Sequence, residues 1–102
     1  MHSIVKEKQQ ELVELCRRFH VTRLEIFGSA VTGEFDPARS DLDFLVEFEP
    51  TAIHSRADDY FGLLFALEKL FQRRVDLVEP GAIRNRFFRQ AVNRTRTLLY
   101  AA

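Results

Sequence analysis

The chain has 102 residues, of which 46% are hydrophobic and 29% charged, and its formal net charge is zero. That length suits one compact domain and is short for two, so we expect a single domain over residues 1–102. The neutral balance gives no sign of direct nucleic-acid or membrane binding, and no apolar run approaches the roughly 20 residues that a membrane-spanning helix needs. The residues after Met1 lack the pattern of a secretory signal, and the single cysteine has no second cysteine with which to form a disulfide. We therefore expect a soluble, cytoplasmic protein.

The charges are unevenly divided along the chain. Residues 1–80 hold all fifteen acidic side chains and ten of the fifteen basic ones, whereas residues 81–102 hold five arginines and no acid. This polarity indicates either an acidic site that faces a basic end or a basic end that faces a partner. An equally good interpretation is that these arginines are solvent-exposed surface residues with no binding role.

The first half of the chain predicts a helix followed by two strands. Apolar residues recur at helical spacing over residues 3–19, and Cys16 lies on that apolar stripe, where a buried thiol is expected rather than a reactive one. Residues 21–27 read as a strand that Gly28 ends. Residues 41–48 alternate as a second strand after a polar connection.

The second half predicts further helices and strands. A loop at residues 51–57 leads to a helix over residues 58–71, which is apolar on more than one face and is therefore buried on two sides or turned toward a partner. Residues 75–79 form a third strand, residues 83–92 a last helix and residues 95–100 a terminal strand. The order predicts an α/β fold, a small mixed β-sheet with helices packed on one face and the aspartate-bearing strands open on the other.

Three aspartates lie where these strands would bring them together. Side chains two residues apart in a strand point to the same face, so Asp41 and Asp43 project together while Leu42 points into the core. Asp76 lies in the third strand, and the three carboxylates converge if the two strands pair in register. Like charges at such short range call for neutralisation, for which the hard cations Mg²⁺ and Mn²⁺ are suited. Two such ions are a common arrangement in phosphoryl transfer.

A tight turn follows the first strand at Gly28 and Ser29. Gly28 allows a ligand to approach the backbone closely, and Ser29 is expected to cap a single helical turn that Gly33 ends. The N–H groups of that turn and the Ser29 hydroxyl can bind phosphate oxygens. A Gly-Ser pair or an Asp-x-Asp pair alone is common on surfaces, and it is their combination that indicates a nucleotide site.

With these residues the chain resembles the minimal nucleotidyltransferase family of the DNA polymerase beta superfamily. The resemblance rests on Gly28-Ser29, a spacer of eleven residues that is one longer than the commonest form, and Asp41-Leu42-Asp43. A strand like that at residues 75–78 also recurs in the family. The resemblance implies that Asp41, Asp43 and Asp76 are metal ligands. It further implies that Asp76 can serve as general base and that Gly28 and Ser29 bind the nucleotide phosphates.

The resemblance also implies an activity and a partner. Members of this kind are commonly Mg²⁺-dependent antitoxins that transfer AMP from ATP to a tyrosine of a HEPN-domain ribonuclease toxin, with two metal ions expected and Mn²⁺ as a substitute. One alternative is a non-catalytic antitoxin that neutralises its toxin by complex formation. Another is a transferase for a small molecule or an RNA end, although so short a chain leaves no room for a dedicated acceptor-binding domain. Homo-oligomers and hetero-oligomers both stay open.

Overall fold

A mixed sheet of four strands forms the centre of the computed structural model, which describes residues 1–50 and 55–102. The strands are β1 (Val21–Phe27), β2 (Leu42–Phe48), β3 (Val75–Val78) and β4 (Thr97–Ala101). Their order across the sheet is β3-β2-β1-β4, with β2 and β3 parallel and β1 antiparallel to both β2 and β4. The predicted α/β fold with a small mixed sheet is confirmed.

The helices are α1 (Ser3–Lys6), α2 (Gln9–Arg18), α3 (Ser29–Thr32), α4 (Arg56–Phe71) and α5 (Arg86–Thr95), with a 3₁₀ turn at Pro80–Ala82. Three of them begin at capping side chains, because the His2 ring, the Ser55 hydroxyl and the Asn85 carboxamide accept hydrogen bonds from backbone N–H groups of the first turn. In the part of the chain that the structure describes, no helix has the length and apolar character to cross a membrane.

Two predicted helices differ from the structure. The single helix predicted over residues 3–19 is wrong, because the chain forms α1 and α2 with a break between them. The run Lys-Glu-Lys-Gln-Gln-Glu at residues 6–11 offers no apolar side chain that could hold a continuous helix against the sheet. The last helix runs over Arg86–Thr95 rather than residues 83–92, since Asn85 caps it. Of the predicted loop, residues 51–54 lie outside the described residues.

The main hydrophobic core lies between one face of the sheet and helices α1 to α4. Alternate residues of β1 and β2 point into this core and are fully buried: Leu24, Ile26, Leu42, Phe44 and Val46. The helices cover them with Leu12, Leu15, Cys16, Leu63 and Leu67, among others. Because alternate strand residues point to opposite faces, Asp43 lies on the other side of the sheet, as predicted.

A smaller apolar cluster covers part of that other face. Val92 of α5 packs there with Phe27, Leu45 and Ile83. Helix α5 therefore lies on the face that carries Asp43, an addition to the predicted arrangement. Since Val92 is the buried residue of α5, most of this helix faces outward, and space remains between α5 and the edge of the sheet.

Candidate active site

Two of the predicted carboxylates face each other across parallel strands. The register of β2 and β3 pairs Asp43 with Asp76, and neighbouring strands lie about 4.8 Å apart. The two carboxyl groups are close enough for Asp76 to raise the pKa of Asp43. Asp43 is half-buried and Asp76 exposed. We call these two residues the acid pair.

The pKa of Asp43 is raised far above the usual range of an aspartate. Burial and the negative charges of Asp76 and Asp41 together raise the pKa of Asp43 to about 7. Such a shift reflects the repulsion between adjacent negative charges, which a proton or a cation on the pair can offset. The site therefore attracts positive charge.

Asp41 lies beside this pair rather than in it. Strand β2 begins at Leu42, so Asp41 is the last residue of the preceding connection, from which its charge still raises the pKa of Asp43. Arg73 supports that connection by donating hydrogen bonds to the carbonyl oxygens of Pro37 and Ser40. Within residues 1–50 and 55–102, no three His, Cys, Asp or Glu side chains are arranged to hold a metal ion. Thus the structure brings together two of the three predicted ligands.

Gly28 brings the backbone of the predicted phosphate turn against the acid pair. Its φ of 80° lies in the region that favours glycine, and a Cβ built there would come within 2.6 Å of the Asp43 Oδ2 atom. The Gly28 N–H donates to the Thr95 Oγ1 atom at 2.8 Å, and its carbonyl accepts from the N–H of Val31 at 3.0 Å. A side chain at Gly28 would therefore displace the carboxylate.

The turn after Gly28 has the predicted form with its cap one residue earlier. Gly28 occupies the N-cap position and Ser29 is the first residue of α3, whereas Ser29 was expected to be the cap. Gly33 ends the turn in the left-handed conformation with φ of 89°, as predicted. The Ser29 side chain is half-buried and stands next to the Gly28 and Asp43 contact.

A cavity of about 430 Å³ opens at the acid pair. Its wall combines the carboxylates with apolar and aromatic side chains from β1, α4 and α5, chiefly Phe27, Tyr60, Leu64 and Phe88. The Tyr60 hydroxyl donates to the carbonyl oxygen of Leu77, the residue after Asp76. Sequence reasoning missed Tyr60 and Phe88 as site residues. Tyr60 stood out only as part of an apolar helix, and the apolar residues that predicted the last helix, Ile83, Phe87 and Ala91 or Val92, did not include Phe88.

A second cavity, of about 450 Å³, lies between the end of β2 and the 3₁₀ turn. Its lining includes Arg56 and Glu79, which form an ion pair with each other at 2.9 Å. The slightly larger volume does not make it the better candidate, because chemistry needs reactive groups and the acid pair faces the other cavity.

Exposed phenylalanines lie on α4 and α5, the two helices that contribute side chains to the cavity at the acid pair. From α4, Phe61 packs edge-on against Tyr60 and Phe65 stacks on Phe61, with ring centroids 5.2 and 6.2 Å apart. From α5, Phe88 packs edge-on against Phe27 at 6.0 Å. We call the four exposed residues the aromatic rim; their exposed fractions are Phe61 51%, Phe65 62%, Phe87 67% and Phe88 42%. Exposed aromatics of this kind are typical of surfaces that contact another molecule.

The arginines of the C-terminal end divide into structural and surface residues. Arg96 forms an ion pair with the buried Glu25 at 2.7 Å. Hydrogen bonds and charge from Arg96, with those from Arg23, outweigh burial and lower the pKa of Glu25 to about 2. Arg84 and Arg89 donate to nearby backbone carbonyl oxygens. Arg96 therefore stabilises the sheet rather than binding a ligand.

A mixed sheet that carries an acid pair beside a glycine turn is the arrangement of a nucleotide-transferring enzyme, and comparison with known sequences agrees. Residues 9–98 match the nucleotidyltransferase domain family. Two proteins of Methanocaldococcus jannaschii, provisionally named protein adenylyltransferases, are similar to this chain. One is 35% identical over 76% of this chain and 76% of its own length, the other 31% identical over 74% and 73%. The chain belongs to the nucleotidyltransferase domain family and is a nucleotidyltransferase.

Solved structures share the fold. A provisionally named minimal nucleotidyltransferase is 33% identical, with a TM-score of 0.74 and 95% of each chain covered. A chain of a toxin–antitoxin complex with AMP-PNP has a TM-score of 0.68 at 22% identity, covering 92% of this chain and 73% of that one. A chain of the complex between the tri-AMPylated HEPN toxin and the MNT antitoxin of Shewanella oneidensis has a TM-score of 0.63 at 18% identity, covering 95% and 72%. At these last two identities the likeness shows the fold alone.

Proposed function

We propose that this nucleotidyltransferase moves AMP from ATP to a hydroxyl group, a tyrosine, on a HEPN-type toxin and so acts as its antitoxin. The observation that carries the proposal is the acid pair at the mouth of a cavity, with the Gly28 backbone held against Asp43. Relatives named protein adenylyltransferases support the reaction class. The toxin–antitoxin complexes with AMP-PNP and with an AMPylated HEPN toxin support the nucleotide and the partner.

The proposed reaction is a substitution at phosphorus. The acceptor oxygen attacks the α-phosphorus of ATP, the bond from that phosphorus to the oxygen bridging to the β-phosphate breaks, and pyrophosphate leaves. The hydroxyl proton passes to a carboxylate, for which Asp76 is suited because it is exposed at the cavity. Gly28 and Ser29 would hold the phosphates beside the acid pair.

The donor set fits Mg²⁺, with Mn²⁺ as a substitute. Oxygen atoms from adjacent carboxylates are the ligands that these hard cations prefer, and a cation would offset the repulsion that raises the pKa of Asp43. Asp43 and Asp76 would hold the metal and Asp41 would join them from the end of its connection. When bound, two such ions neutralise the phosphate oxygens and the leaving pyrophosphate.

The aromatic rim supports an acceptor that belongs to another protein. Four exposed phenylalanines on the two helices that contribute to the cavity suit burial in a protein interface, where aromatic residues are enriched. A small-molecule acceptor would need no such surface outside the cavity. The acceptor hydroxyl would then reach the acid pair from a partner that covers the rim.

A non-catalytic antitoxin is the second candidate. Its supporting observation is that Asp41 does not join the acid pair into a three-residue metal site among the residues described. In that case the rim would neutralise the toxin by covering it, and the acid pair would be a remnant of the family's chemistry.

One experiment separates the two candidates. The chain is mixed with a HEPN toxin encoded beside it, ATP labelled in the α-phosphate, and Mg²⁺, and label on the toxin and toxin ribonuclease activity are both measured. We expect label transfer and neutralisation by the parent, and neither by the Asp41→Ala, Asp43→Ala double variant. Asp58→Asn, which changes an exposed carboxylate at the start of α4, serves as control. Neutralisation by the double variant without any label would establish the binding role.

A further inference from the structure

We infer that Thr95 is a positioning residue of the active site, because its hydroxyl holds Gly28 against Asp43. The inference rests on the proposed function, in which Gly28 and Ser29 bind the nucleotide phosphates. Thr95 is half-buried at the end of α5, and its Oγ1 atom accepts the Gly28 N–H at 2.8 Å. It carries none of the charge expected of a ligand or of an acid or base, so its contribution is geometric.

The hydroxyl of Thr95 replaces a missing hydrogen bond of the sheet. Strands β1 and β4 pair Glu25 with Leu98 and Ile26 with Thr97, and continuing that antiparallel register brings residue 28 opposite residue 95. Thr95, however, is the last residue of α5, so its backbone is helical and cannot continue the strand. Its side chain takes the hydrogen bond that a strand carbonyl would otherwise accept.

This hydrogen bond fixes the N–H side of Gly28, whose carbonyl is already held by the N–H of Val31. Glycine has no side chain to limit its conformation, so the Gly28 peptide is free to rotate unless its N–H is bound. Because a Cβ at Gly28 would stand 2.6 Å from the Asp43 carboxylate, this backbone already lies at contact distance from the acid pair. A shift of this turn changes the distance between the phosphates and the carboxylates, and errors of about 1 Å in such distances can slow a reaction about 100-fold.

The position of Thr95 is itself well supported. Val92, one turn earlier, is 1% exposed, and Arg96, the next residue, is tied to the buried Glu25. The Thr95 carbonyl accepts the hydroxyl of Thr97 at 3.0 Å. Removing the Thr95 hydroxyl alone therefore leaves the end of α5 in place, which makes the residue testable without unfolding the chain.

The test compares three variants in the AMP-transfer assay and in binding of Mg²⁺-ATP without the partner. Thr95→Val keeps the shape and removes the acceptor, Thr95→Ser keeps the acceptor, and Thr22→Val removes a hydroxyl that donates to the Glu47 carbonyl oxygen at the far end of β1. We expect Thr95→Val to lower kcat/KM for ATP about 10- to 100-fold. KM for the acceptor protein and the melting temperature should stay close to those of the parent, and Thr95→Ser should recover most of the activity.

Three results would overturn the inference. The first is that Thr95→Val leaves ATP kinetics and ATP binding unchanged. The second is that Thr95→Ser loses as much activity as Thr95→Val. The third is that the loss of activity accompanies a fall in melting temperature, which would indicate a structural role only. If the parent transfers no AMP at all, it is the proposed function that fails. Equal Mg²⁺-ATP affinities of the parent and Thr95→Val would then count against the role of Thr95, and a weaker affinity of Thr95→Val alone would support it.

Discussion

Gly28 and Asp43 lie so close together that no other residue fits at position 28. The Asp43 Oδ2 atom occupies the space that a Cβ at Gly28 would fill, 2.6 Å away, while the register of β1 and β2 pairs the preceding residue, Phe27, with Asp43. One close contact thus joins the predicted phosphate turn to the acid pair. Most of the expected effects of substitution at the site depend on it.

Gly28→Ala should abolish AMP transfer for a steric reason that can be isolated. Alanine at φ of 80° is strained, and its Cβ would push the Asp43 carboxylate away from Asp76. Gly33→Ala is the matched control, because Gly33 has a similar φ of 89° but nothing within 4 Å of its Cβ position. We expect both variants to lose about 1 to 2 kcal/mol of unfolding free energy from backbone strain, and Gly28→Ala alone to lose transfer activity. Equal activities of the two variants would refute the steric account.

The Glu25 and Arg96 ion pair should make stability depend on acid pH. The pKa of Glu25 is lowered from 4.5 to about 2 in the folded protein, so the unfolded chain binds a proton on Glu25 more readily than the folded one does. The resulting stabilisation is present above pH 4.5 and is lost as the pH falls toward 2. After allowance for solvent around the partly exposed arginines, it amounts to about 2 kcal/mol.

Denaturant unfolding of Glu25→Gln against the parent measures this effect. We expect the difference in unfolding free energy to be about 2 kcal/mol at pH 7 and to shrink between pH 4.5 and 2. Glu49→Gln, at an exposed carboxylate, should show no such trend. A difference that is constant with pH would mean that packing, not charge, accounts for the contribution of Glu25.

Cys16 should be unreactive in the folded protein. It is fully buried between α2 and the sheet, and burial raises the pKa of its thiol to about 12. Since this is the only cysteine, mass-spectrometric counting of iodoacetamide adducts reports on it alone. We expect no adduct under native conditions and one in denaturant, and native labelling at the rate of a free thiol would contradict the burial of α2.

The aromatic rim should contribute to affinity for the partner and little to folding. We expect Phe65→Ser combined with Phe87→Ser to raise the Kd for the HEPN partner at least 10-fold, because interface aromatics carry much of the binding energy. The melting temperature should change little, since these side chains are 62% and 67% exposed. Leu98→Ser, 49% exposed and on strand β4 rather than on either helix of the aromatic rim, is the control. If Leu98→Ser weakens binding and the double rim variant does not, the partner binds elsewhere.

The sequence predicted most of the sheet and half of the geometry of the site. Alternating patterns located the strands, and the two-residue spacing correctly put Asp43 opposite the core because Leu42 and Phe44 had to be buried. The position of Asp41 was less predictable, because a residue at the predicted start of a strand can instead be the last residue of the loop before it. Thr95 and Tyr60 could not be found from the sequence, because their partners, the Gly28 N–H and the Leu77 carbonyl, are backbone groups brought near by tertiary pairing. Likewise, no local pattern showed that α5 would pack on the carboxylate face.

The central claim is that Asp43 and Asp76 act as one catalytic unit, and comparison of single and double variants tests it most directly. AMP transfer is measured for Asp43→Asn, Asp76→Asn and the double variant under saturating ATP and partner. Groups that act together are not additive, so each single variant should lose nearly as much activity as the double one, at least about 1,000-fold. The claim would be contradicted if the fold-loss of the double variant equals the product of the two single fold-losses, or if Asp43→Asn retains AMP transfer.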